Sequence, residues 1–132
     1  MPYHANIIVE PGAQLDVDGG IISSVNDTTM WYGIAVLGNL YESQEGISPN
    51  QGIVYVRNNG LIENALVGIN LGDEINFDAT KAGGIARIQD ARFKNNRRSI
   101  SWNAYHNLTW KLTASGWERT RLWPNRSYVL NS

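Results

Sequence analysis

The chain of 132 residues has no cysteine. That excludes a disulfide framework and any zinc site built on thiolates. It has only two histidines, His4 and His106, near opposite ends of the chain. A shared histidine metal site and a Ser-His-Asp triad are therefore not expected. No apolar run approaches the ~18 residues that a membrane-spanning helix needs. The first residues, Met1-Pro2-Tyr3-His4-Ala5-Asn6, have neither a basic stretch nor an apolar core, so they do not read as a signal peptide. Helical periodicity is weak along the whole chain. Basic residues are missing from the first part. Residues 1–56 hold six acids and no lysine or arginine, whereas residues 57–132 hold six acids and all 11 bases. No nucleic-acid recognition motif accompanies these bases, so they read as a solvated surface.

What is present is a repeat of short strand-like segments. Gly33-Ile34-Ala35-Val36, Gly68-Ile69-Asn70-Leu71 and Ser99-Ile100-Ser101-Trp102 can be written one under another. Each follows a matching segment: Ile21-Ile22-Ser23-Ser24, Leu61-Ile62-Glu63-Asn64 and Arg92-Phe93-Lys94-Asn95. In the last two copies, Phe93 follows Ile62 and Ser99 follows Gly68 by 31 residues. A third series alternates apolar and polar residues and then turns: Leu15 to Asp18 before Gly19-Gly20, Val54 to Arg57 before Asn58-Asn59-Gly60, and Ala86 to Gln89 before Asp90-Ala91. Gly and Asn suit such corners because they tolerate positive φ. Self-similarity at this period predicts an all-β, single-stranded parallel solenoid of about three coils. In it, each coil buries its apolar face against its neighbours. The expected inward positions are Leu15, Val17, Ile22, Ile34 and Val36 in the first coil, Val54, Val56, Ile62, Ile69 and Leu71 in the second, and Ala86, Ile88, Phe93, Ile100 and Trp102 in the third. Ser24, Asn64 and Asn95 are expected to stack at one corner as a hydrogen-bonded ladder. Asp16, Tyr55 and Arg87 are expected to stack on one outer row.

The coils are assigned to residues 1–107. Residues 108–132 leave the pattern and read as an end cap or a foreign tail. The strand-like residues Ile7-Ile8-Val9 begin almost at once, with no polar cap over the first coil. The chain is therefore expected to be a piece of a longer parent with further coils.

The motifs Ile7-Ile8-Val9-Glu10-Pro11-Gly12-Ala13, Asp18-Gly19-Gly20 and Trp31-Tyr32-Gly33-Ile34-Ala35-Val36-Leu37-Gly38-Asn39 resemble secreted right-handed parallel β-helix proteins of Bacteroidetes type, which often carry a type IX sorting domain. The run from Gly83-Gly84-Ile85-Ala86 to Phe93-Lys94-Asn95-Asn96-Arg97-Arg98-Ser99 resembles further coils of that family. The resemblance covers about residues 3–107. It implies a right-handed helix and a secreted or cell-surface location.

The function expected on this basis is a structural scaffold, without catalysis of its own, that touches polysaccharide or cell-surface glycan. Trp31, Tyr32, Tyr55 and Arg87 are the candidate sugar contacts, since a flat ring suits the C–H face of a sugar. Trp31 adjoins inward positions, so a core role stays open for it, and Trp102 reads more as core. The alternative is part of a pectate-lyase-like polysaccharide-degrading enzyme. Such chemistry resembles calcium held by carboxylates on one sheet beside a basic side chain. Asp16, Asp18 and Asp90 are the candidate acids, and Arg57, Arg87 and Arg92 the candidate bases. Asp73, Glu74 and Asp78 are a separate candidate set of oxygen ligands for Ca²⁺, and Arg97-Arg98 a candidate clamp for an anionic sugar. No nucleic-acid partner is expected.

Overall fold

The computed structural model of the chain describes residues 4–26, 28–41, 44, 51–73, 78–102, 107–113, 116–123 and 127–130. Their architecture is all-β, built mainly from parallel sheets. The first strands are β1 (Asn6–Val9), β2 (Gln14–Asp18), β3 (Ile21–Ile22) and β4 (Trp31–Val36). They are followed by β5 (Ile53–Arg57), β6 (Leu61–Glu63), β7 (Ala65–Leu71), β8 (Ile85–Gln89), β9 (Arg92–Lys94) and β10 (Arg98–Trp102). The remaining strands are β11 (Asn107–Thr113), β12 (Gly116–Trp123) and β13 (Tyr128–Leu130).

Up to β10, each strand pairs in parallel with the strand three places later. The orders are β2-β5-β8 with β13 beyond, β3-β6-β9, and β1-β4-β7-β10. The chain thus visits a first, a second and a third sheet and returns to the first. The register puts like residues on like. Leu15, Val54 and Ala86 align, as do Val17, Val56 and Ile88. Ile22, Ile62 and Phe93 align in the second sheet. Ile7, Ile34, Ile69 and Ile100 align in the third.

These rows face one shared core. Val17, Trp31, Ile34, Val36, Val54, Val56, Ile62, Ile69, Leu71, Ala86 and Ile88 are buried in it, and Leu15, Ile22, Phe93 and Ile100 pack against it. Parallel pairing sets these rows side by side and removes their apolar surface from water. Trp102 departs from the expectation. It aligns with Leu71, yet it is 50% exposed. Its strand, β10, is the last of the third sheet, and among the described residues no further strand pairs beyond it there.

The corners repeat as the strands do. Gly19, Asn58 and Asp90 each follow a strand of the first sheet and each has positive φ, at 74°, 53° and 53°. The second corner carries Asn64 and Asn95, at 61° and 53°. There Asn95 Nδ2 donates to Asn64 Oδ1 at 2.6 Å, and Asn64 Nδ2 donates to Ser23 Oγ at 3.2 Å. The expected ladder is present, with its first rung on Ser23 and not on Ser24. Ser24 Oγ instead donates to the carbonyl of Asn26, two residues on.

Beyond β10 the chain first leaves the pattern and then rejoins it. β11 and β12 form an antiparallel pair. β13 pairs in parallel with β8 and aligns Tyr128, Val129 and Leu130 with Arg87, Ile88 and Gln89. Ser127 Oγ accepts from Ala86 N at 2.8 Å. Part of the tail therefore extends the first sheet, because β8 has an open ladder edge that a passing extended segment can pair.

Candidate functional site

The four candidate sugar contacts fall in three places. Trp31 is fully buried, and its indole Nε1 donates to Glu63 O at 2.9 Å. Trp31 starts β4 and points inward, so its ring presents no face to a ligand; it belongs to the core and not to a sugar-binding surface. Tyr55 and Arg87 lie on the outer face of the first sheet, in the expected row with Asp16. Tyr32 lies on the outer face of the third sheet.

The row on the first sheet is held together by its own charges. Arg57 pairs with Asp16, and its Nε lies 3.8 Å from Asp18 Oδ2. The Asp16 carboxylate, as hydrogen-bond acceptor and as neighbouring charge, raises the Arg57 pKa further above its ordinary value. Asn58 Nδ2 also donates to Asp18 Oδ1, at 2.5 Å. The guanidinium carbons of Arg57 and Arg87 lie 5.4 and 5.8 Å from the centre of the Tyr55 ring. Arg87 Nη1 donates to the Tyr55 hydroxyl at 3.4 Å. Tyr55 is thus already engaged in cation–π contacts, and both outward acids of β2 already have a guanidinium partner.

Of the candidate calcium ligands, Asp73 and Asp78 have partners within the fold. Asp78 caps a short 3-10 turn, Ala79–Lys81, and its Oδ1 accepts from Thr80 N at 3.0 Å and from Thr80 Oγ1 at 2.6 Å. These two bonds hold the Asp78 carboxyl below its ordinary pKa. Asp73 is buried, and Lys81 Nζ lies 4.0 Å from its Oδ2. Glu74 lies outside the described residues. Among the described residues no group of three potential ligands comes together.

Tyr32 opens onto a concave feature that gathers several polar groups. This groove, of about 530 Å³, runs over the outer face of the third sheet. Its lining includes Asn6, Tyr32, Gly33, Asn70, Arg97 and Arg98. His4 stacks on Tyr32, with ring centroids 5.0 Å apart and 24° between planes. Two strand backbones approach closely at Gly33, where φ is 109° and the register between β4 and β7 shifts, and Ile34, Ala35, Leu66 and Val67 complete the lining. A Cβ on Gly33 would stand 1.6 Å from Val67 O. Only glycine fits there.

Asn70 sits in this lining at 4% exposure. Its Nδ2 donates to Gly72 O at 3.1 Å, which fixes the amide's orientation. Its Oδ1 is buried with no hydrogen-bond partner among the described residues. A hydrogen-bond donor at this position would satisfy the acceptor. Arg97 and Arg98 enter at the start of β10, both exposed. The described lining includes no carboxylate. The sequence marked Tyr32 and the arginine pair. It did not mark Asn70, because an outward Asn in a strand looks like any solvated residue until its burial is known.

Among the described residues no helix is long and apolar enough to cross a membrane. No protein-family model, no curated protein and no solved structure matches this chain.

Proposed function

We propose that this chain is a right-handed, single-stranded parallel β-helix of the secreted Bacteroidetes type, and that it serves as a cell-surface scaffold that contacts glycans. The strand order supports the helical reading: three sheets are each visited once per circuit, in unchanged sequence. Right-handedness follows from the general preference of parallel crossovers. A stacked scaffold of this kind has a rigid outer surface, and a groove on a rigid sheet binds without first having to order its walls.

The observation that carries the glycan reading is the groove on the third sheet, where the Tyr32 ring stands in one lining with the amides of Asn6 and Asn70 and the apolar side chains of Leu66 and Val67. Sugar rings bind where a flat apolar face lies next to polar groups that orient the hydroxyls. Tyr55 is less suited, since two guanidiniums already attend its ring. A glycan array probed with the whole chain tests this. Binding that is lost in Tyr32→Ala and retained in Tyr55→Ala is the expected result. The absence of binding to any glycan, or binding indifferent to Tyr32, overturns it. A helical circular dichroism spectrum would overturn the fold reading itself.

A further inference from the structure

Resting on the glycan reading of the groove, we infer that its ligand is an acidic saccharide, with an anionic group held by Arg97 and Arg98 and a hydroxyl donated to Asn70 Oδ1.

Two parts of the lining ask for opposite chemistry. Arg97 and Arg98 are consecutive, exposed and adjacent to a surface whose described lining carries no acid. Guanidiniums present fixed forks of N–H donors, which suit the oxygens of a carboxylate or sulfate. Asn70 Oδ1 can only accept. Its amide nitrogen is held by Gly72 O, so the group cannot turn to offer a donor instead. An anion has no proton to give it, and a hydroxyl does. A ligand that satisfies both parts carries an anionic group and hydroxyls on one rigid frame, and a sugar acid or sugar sulfate has this form. The Tyr32 ring adds an apolar face for the C–H side of the same sugar. A polyacidic peptide can offer Asn70 a backbone N–H, yet it has no C–H ring face to lay on Tyr32. A nucleic-acid strand has both groups, yet it is held by a long basic track that neutralises several phosphates, and the groove has two arginines.

Titration calorimetry on the whole chain tests this with a glucuronate-containing oligosaccharide and its carboxyl-reduced, neutral counterpart. Loss of the carboxylate is expected to weaken binding by about tenfold or more. Arg97→Gln with Arg98→Gln should weaken the acidic ligand by a similar factor and the neutral one by clearly less. Both positions are exposed, so the variant should fold. A sulfated oligosaccharide run alongside tells which anion the arginines prefer. Polyglutamate and polyuridylate of equal charge should bind at least about tenfold more weakly than the acidic saccharide. Equal binding of the neutral and acidic sugars overturns the inference and leaves the glycan reading standing. Equal binding of either polyanion also overturns it. If no saccharide binds, both readings fall.

Discussion

Single residues in this chain do their structural work mainly at corners. Asn64 combines a left-handed backbone with two ladder bonds, one to Asn95 and one to Ser23. The two contributions can be separated. Asn64→Gly keeps the backbone conformation and loses the bonds, at a cost of about 1–2 kcal/mol. Asn64→Ala loses both, and should cost about a further 1 kcal/mol from the left-handed strain. Equal losses in urea denaturation would show that the corner has no conformational demand. Ile62 is fully buried between Ile22 and Phe93, so Ile62→Ala should cost about 2–5 kcal/mol by the same measurement. Asp78 offers a pH test. Its folded pKa is lowered by the Thr80 bonds, so its stabilising effect is present above its ordinary pKa of 3.8 and is lost as pH falls through the folded value. Asp78→Ala should therefore narrow the stability difference between pH 7 and pH 3. An unchanged pH profile would mean that the cap contributes nothing.

Among the elements, strands were the more legible part and the inserted loops the less. Alternation in Val54 to Arg57 and in Ala86 to Gln89 marks inward and outward faces, and the structure places Val54, Val56, Ala86 and Ile88 in the core as that pattern implies. The aligned segments at Ile34, Ile69 and Ile100 pair in the expected register. Trp31 and Trp102 went the other way from their neighbours' pattern or left it open. An aromatic side chain suits a core and a surface equally well, so only its place in the stack decides. β13 was not legible as a sheet member, because a three-residue strand carries too little periodicity. Its pairing predicts a clear effect. Removing residues 103–132 would leave β8 with a bare ladder edge, and the truncated chain should associate. Size-exclusion chromatography that shows an unchanged monomer would count against that role.

For the whole molecule, stability should be greatest where a strand has neighbours on both sides. β5, β6 and β7 are inner strands of their sheets, whereas β1, β2 and β3 are edges. Amide hydrogen exchange should therefore be slowest in β5–β7 and faster in β1 and β3, as nearest-neighbour stacking requires. Uniform protection would indicate a single all-or-none unit instead.

The one-dimensional pattern was enough to assign the all-β class, the in-and-out order of the strands and the Asn corners, because each depends on local backbone preference and on a period that repeats. The groove was decided only in three dimensions. Tyr32, Asn70 and Arg97 are far apart along the chain, and parallel stacking brings them to one face. The burial of Asn70 and the partners of Asp16 and Asp18 likewise depend on which strands lie above and below. A residue's sequence neighbours set its direction; the neighbouring circuits set what it meets there.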